Sequence, residues 1–271
     1  FLAKSGYTLT SGSDYYADRA ERLDTPVPRL PLDAGRISLI STNPFDWRAA
    51  LDLSAVRDVK GNLVGRAGHP DLSMSSLAVV DGNDVAPTGY AAVSAQSLSG
   101  SGAESILLGG YRSGTDTALT ITTTAANVQV LANDQVLEAN ELLFVAKSRL
   151  VIGDGVSIMS AGTQRVADRT ISLTGDGAFL RVGNAAGSAV SRTGASLAGG
   201  DITIGSGVLL YGPEVQIDAT GRYTLAIDDE SLGTRAPSFS QKRATSAAPL
   251  NPSSISIGAS RVALGGASPE G

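Results

Sequence analysis

The stretch Asn127–Gly162, NVQVLANDQVLEANELLFVAKSRLVIGDGVSIMSAG, decides the fold. Apolar and polar residues alternate, stop, and start again after Gly, Asn or Asp. Val128 and Val130 flank Gln129, and a turn signal follows at Asn133-Asp134. Val136 and Leu137 resume until Asn140. Leu142–Val145 make the next run, Leu150–Ile152 another, and Gly153-Asp154-Gly155 turns the chain toward Val156 and Ile158. Period two is strand grammar, in which alternate side chains face one core. Each strand is so short that it offers only one or two apolar groups, and a hairpin of such strands does not fold alone. The strands must stack on others like themselves.

The same grammar recurs in GRISLIS (35–41), RTISLTGDGAFLRVG (169–183), GGDITIGSGVLLYGPEVQIDATGRYTLAID (199–228) and SSISIGASRVALGG (253–266). Degenerate repetition of this size predicts an all-β parallel solenoid with irregular loop excursions. Coils of about 20 residues, stacked near 4.8 Å, give a length on the order of 40 to 60 Å. Composition agrees. Hydrophobic residues are 42% and aromatics 5%, so Val, Ile, Leu and Ala must fill the interior, and the 32 glycines serve the turns.

Residues 1–32 read as an irregular lead-in with a short helix over Asp14–Leu23, Asp14 being its N-cap. With the proline-rich TPVPRLPL it precedes the first clear strand, where a solenoid carries its cap. The solenoid spans 33–228, with a weaker interruption at 57–72. Residues 229–252 lack apolar alternation and read as a long loop or excursion. Residues 253–271 return to strand grammar with no cap, and are expected to continue as coils of a longer parent protein. The start at Phe1, without Met, fits an internal or processed piece.

The net charge of −5 and pI near 4.9 oppose a nucleic-acid partner. No apolar run is long enough for a transmembrane segment. The absence of cysteine removes disulfides, Cys-ligated zinc and Cys nucleophiles.

Catalytic, cofactor and metal sites are expected to be none. His69, the single histidine, has no second His for a metal site and no GxSxG elbow for a triad, so it reads as a solvated turn residue before Pro70. A glycosidase or a calcium-dependent lyase needs clustered carboxylates. Asp228-Asp229-Glu230 is the densest group, followed by Asp154, Asp176 and Asp201. Asp154 and Asp176 lie in Gly-Asp-Gly turns, where turn chemistry alone accounts for them. The glycine-rich stretches GNAAG (183–187) and GSGVLLYG (205–212) lack the following helix that a phosphate loop requires, and read as tight corners. Trp47, Tyr90, Tyr111, Tyr211 and Tyr223 are too scattered to define a sugar platform.

RLPLDAGRISLIS, ESILLGGYRSGTDTALTITTTAANVQVL, LEANELLFVAKSRLVIGDGVSI and SISIGASRVALGG together resemble segments of the filamentous-haemagglutinin-like exoproteins of Gram-negative bacteria. The resemblance covers most of Leu30–Thr220 and again Ser253–Gly266. It implies a right-handed parallel β-helix, export by a two-partner pathway through an outer-membrane transporter barrel, and adhesion at the cell surface or after secretion. The partner would be a host or bacterial surface receptor or glycan. Neither a secretion domain nor a toxin domain is visible, so the chain reads as a non-catalytic piece of the shaft. The alternative is a carbohydrate-active parallel β-helix enzyme, either polysaccharide lyase or glycoside hydrolase.

Overall fold

A computed structural model describes residues 12–28, 32–58, 60–160, 168–185, 187–196, 198–226 and 254–265. Its helices are α1 (Gly12–Arg22) and α2 (Ala95–Ser99). The strands begin with β1 (Arg36–Ile40), β2 (His69–Ser73), β3 (Ser76–Val80), β4 (Ala91–Ser94), β5 (Ser105–Leu108), β6 (Gly110–Gly114) and β7 (Ala118–Thr123). The stretch that decides the fold then supplies β8 (Asn127–Val130), β9 (Val136–Ala139), β10 (Glu141–Ala146), β11 (Arg149–Ile152) and β12 (Ser157–Ser160). After it come β13 (Thr170–Thr174), β14 (Ala178–Gly183), β15 (Ala189–Thr193), β16 (Asp201–Ile204) and β17 (Leu209–Tyr211). The long β18 (Glu214–Ala226) and β19 (Ser254–Gly265) complete the set. The protein is all-β, as period-two patterning predicts, and its strands pair mainly in parallel.

Three walls share one core. In the first, β1, β2, β5 and β10 lie side by side in parallel; β14 follows reversed, and then come the first halves of β18 and β19. The second wall runs β4, β3, β8, β11 and β16 to the second halves of β18 and β19, all parallel. A register shift between Ala219 and Arg222 marks where the two longest strands turn from one wall to the next. The third wall is β9, β12 and β17. Stacked interior residues fill the space between: Leu39, Leu72, Leu108, Phe144, Leu180 and Ile217 from the first wall, Val79, Val130, Ile152 and Ile204 from the second, and Leu137, Ile158 and Leu210 from the third.

A fourth, outer sheet pairs β6 antiparallel with β7, and then β13 and β15 parallel to it. The chain leaves the first wall for this sheet at Gly109-Gly110. Gly109 has φ +97°, and its carbonyl accepts from both Thr124 and Ala125 N–H as the chain returns. A Cβ there would lie 1.8 Å from the Val145 carbonyl oxygen, so only glycine fits. The outer sheet sets Leu119, Ile121, Ile171 and Leu173 on the outward side chains Leu107, Leu143, Val145 and Phe179 of the first wall. This is why ELLFVA (β10) and AFLRVG (β14) are buried on both faces.

Several expectations need correction. RTISLTGDGAFLRVG is not one coil: β13 belongs to the outer sheet, and β14 runs backward in the first wall. Both β13 and β15 run in the direction of β7, so the strand joining them must carry the chain back. The first coils are also out of order, because β4 lies outside β3 with Trp47 bridged to it through Val93. Among the described residues the first wall has seven strands, which at about 4.8 Å spacing span roughly 30 Å. That is shorter than 40 to 60 Å, because much of the chain is used in the outer sheet and in loops.

Helix α1 covers the stretch expected to be helical. It begins at Gly12, so Asp14 sits in its first turn and is not its cap. An edge of the third wall is covered by α2: Ser99 Oγ accepts from Glu138 N–H at 3.0 Å and donates to the Val136 carbonyl at 3.3 Å. A hydroxyl thus replaces a neighbouring strand at the β9 edge, the kind of protection open edges need. Strand β19 lies where strand grammar resumes; residues 229–252 and 266–271 lie outside the described residues.

Candidate functional site

Beside the apolar contact between the first wall and the outer sheet, the outward positions become charged. Asp71 comes from β2, Ser105 from β5, Glu141 from β10, Arg181 from β14, and Glu214 and Gln216 from β18. Arg112 reaches down from β6, and Arg169 from just before β13. Asp71, Ser105, Glu141 and Arg181 are fully buried, and Arg112, Arg169 and Glu214 nearly so.

The groups form a continuous chain of contacts. Arg112 donates from Nε to Asp71 Oδ1 at 2.6 Å and from its backbone N–H to Asp71 Oδ2 at 3.0 Å. Its Nη1 donates to Ser105 Oγ at 2.8 Å, which in turn donates to Glu141 Oε2 at 2.6 Å. Arg169 Nη1 lies 3.3 Å from the same oxygen. Arg181 donates from Nε to Glu141 Oε1 at 2.7 Å, and from Nη1 to Glu214 Oε2 at 2.5 Å and Gln216 Oε1 at 3.1 Å. Gln216 donates onward to the Ser188 carbonyl at 2.7 Å. Three guanidinium groups thus face three carboxylates. Burial would push the Glu141 carboxyl up, but the Arg181 and Arg169 charges and the Ser105 hydroxyl outweigh it and hold it at about 2. Glu141 is therefore ionised at neutral pH and has no proton to give as a general acid. The network fastens two sheets together through charge-assisted bonds.

At the rim, Arg66 joins Glu104, 2.8 Å away, to Asp116. His69 lies here too, and it is not a solvated turn residue. It opens β2, is mostly buried, and has Nδ1 3.5 Å from Arg112 Nη1. The interruption expected over 57–72 ends at Gly68, and His69 and Pro70 already pair with Arg36 and Ile37 of β1. Burial first, then the Arg112 and Arg169 charges, pushes its imidazole down to about 4. Unfolding frees a base of ordinary affinity near 6.5, so its neutral form stabilises the fold fully above pH 6.5. That contribution is lost as pH falls toward 4. His69→Gln is expected to reduce the pH 7 to pH 4 loss of stability by about 2 kcal/mol, measured by urea unfolding at both pH values. An unchanged pH dependence would remove His69 from the acid response.

Among the described residues, the carboxylates singled out from sequence, Asp154, Asp176 and Asp201, serve separate contacts. Asp154 Oδ1 accepts from Ser206 N–H at 2.8 Å, tying the β11–β12 turn to the β16–β17 turn. Asp176 accepts from Ser196 and Ala198 N–H, and Asp201 from Arg222 N–H at 2.7 Å. Asp81, not singled out, accepts from the N–H groups of Asn133, Asp134 and Gln135. Asp81, Asp154 and Asp176 each link one turn to a later segment, and Asp201 links the start of β16 to β18. Asp81→Ala is expected to destabilise by about 1–3 kcal/mol, because three donors lose their acceptor. Asp154→Asn keeps the accepting oxygen and should change stability by less than about 0.5 kcal/mol. Chemical denaturation of both variants checks the contrast. Asp228, Asp229 and Glu230 lie outside the described residues.

The aromatic residues are dispersed as well. Trp47 packs on the main core, Tyr90 on a small cluster with Ala78 and Ala92, Tyr111 lies in β6, Tyr211 in β17 and Tyr223 in β18. The corner reading of the 205–212 glycines agrees with the turn that Ser206 makes between β16 and β17, and Gly183 ends β14. No group of His, Asp or Glu able to hold a metal occurs among the described residues.

Fold and site together define an all-β protein of stacked, mainly parallel strands with a buried charge network under an outer sheet. No family model, curated protein or solved structure matches the chain.

Proposed function

We propose that the chain is a right-handed parallel β-helix serving as a non-catalytic shaft segment of a large filamentous-haemagglutinin-like exoprotein. Its parent is exported through an outer-membrane transporter barrel, and lies at the surface of a Gram-negative bacterium or is released from it. There it mediates adhesion to a host or bacterial receptor or glycan. The observation that carries this reading is the set of three walls around one stacked core, with every charge of the buried network used on a partner inside the protein. Such a body offers long outer faces and spends its carboxylates on architecture. No helix among the described residues is long and apolar enough to cross a membrane.

The test has two arms. Purified protein is incubated with pectins, glycosaminoglycans and host glycans, and product release is followed. No turnover is expected, and release of unsaturated or shortened saccharides would replace the shaft reading with the enzyme reading. In parallel, protease accessibility on intact cells expressing the parent protein should place this segment outside the outer membrane.

A further inference from the structure

The interior ladder does not determine which way β14 runs. Ala178, Leu180 and Val182 face the core in either direction, because alternation survives reversal. The outward face does discriminate. On β10 it begins charged and becomes apolar: Glu141, Leu143, Val145. On β14 it begins apolar, at Phe179, and passes through Arg181 to Gly183. Laid antiparallel, Phe179 meets Val145, Arg181 meets Leu143 and Gly183 meets Glu141. On the other side Gly183 meets Glu214 and Arg181 meets Gln216.

Glu141, Gly183 and Glu214 therefore form one row across three strands, with a glycine in the middle. The Arg181 side chain folds along its own strand and covers that glycine. A Cβ on Gly183 would lie 2.7 Å from Nη2, 2.9 Å from Cζ and 3.2 Å from Nε. From this seat Nε reaches Glu141 on one side and Nη1 reaches Glu214 on the other. In a parallel arrangement with the same residues inward, either Phe179 or Arg181 stands beside Glu141, or a further slip sets Arg181 beside Val145, with its charge in the apolar contact and out of reach of Glu141. The first choice drives a ring into the charges. The second sets Gly183 beside Leu143 and removes Phe179 from the apolar contact.

We propose that Arg181, seated over Gly183, is a direction lock: it selects the reversed course of β14, and with it the docking of the outer sheet. Buried ion pairs often add little net stability yet choose one arrangement among several, and this is such a use. The competing determinant is the short turn at Gly175–Gly177, which could reverse the chain without help. The proposal is independent of whether the chain is an adhesin shaft.

The native chain has no cysteine, so one engineered pair reports the direction cleanly. Ala146 and Ala178 are directly opposed only when β14 runs antiparallel in this register. The double substitution A146C and A178C is made in the full chain, which is refolded from urea under oxidising conditions. Disulfide yield is read by mass spectrometry, since cross-strand distance decides whether the bond closes. Near-complete closure is expected on the native background. Arg181→Met in the same background should reduce closure severalfold in the protein that regains β-sheet circular dichroism. Closure equal to the native background would show that the turn suffices and would overturn the lock. Should Arg181→Met leave no soluble protein, Gly183→Ala is judged by the same criterion. It keeps every charge and obstructs only the guanidinium's seat.

Discussion

Ile152→Asp is expected to abolish the folded state. Ile152 is fully buried in β11, stacked between Val130 of β8 and Ile204 of β16. Removing a core isoleucine side chain alone costs about 2–5 kcal/mol. The new carboxylate would add a desolvation penalty, since the surrounding ladder is Val, Ile and Leu and offers no donor. Domains of this kind hold about 5–15 kcal/mol in total. Loss of the cooperative urea transition and of the sheet signal in circular dichroism is the outcome to look for. Ile152→Val, by contrast, should cost only about 0.5–1.5 kcal/mol. An Ile152→Asp protein that unfolds at the native urea midpoint would mean that the stacked core is not where the stability lies.

Glu141→Leu should cost about 3–5 kcal/mol, the usual effect of removing one partner from a buried ionic group. Arg181 would lose its Nε acceptor, Arg169 its carboxylate contact and Ser105 its acceptor, all out of reach of water. Asp116→Ala at the exposed rim is the control. It breaks the contact with Arg66 but leaves the groups in solvent, where pairs are worth about 0–1 kcal/mol. Acid separates the two sites further. With the Glu141 carboxyl held at about 2, its stabilisation is complete above the unfolded-state value near 4.5 and is lost as pH falls toward 2. The native protein should therefore lose an acid-sensitive component that Glu141→Leu already lacks. Equal urea midpoints for Glu141→Leu and Asp116→Ala would show the buried network to be energetically idle.

The outer sheet also explains an asymmetry in the patterning. Strands β11, β13 and β16 show a strict buried and less buried alternation, because one face meets solvent. Strands β10 and β14 are buried on both faces. In such strands an embedded charge, Arg181 between Leu180 and Val182 or Glu141 before Leu142, has to find partners inside the protein. That was the available signal for the site. It marks a covered face, though it does not name the cover.

Local alternation determined a great deal. The strands β8 to β12 fall where period two and the Asn, Asp and Gly breaks place them, because facing and turning depend on residues close in the chain. The scarcity of aromatics pointed correctly to a core of Val, Ile, Leu and Ala. What alternation does not carry is the identity or direction of a neighbouring strand. TISLT and AFLRVG share the same grammar, yet one lies in the outer sheet and the other runs backward in the first wall. His69, followed by Pro70, reads locally as a turn residue, and pairing with β1 makes it strand. Arg181 meets Glu141 and Glu214 only across separations of 40 and 33 residues. Contacts at that range belong to the stacking order, so the charge network, its lowered carboxyl and its imidazole were decided by the tertiary structure alone.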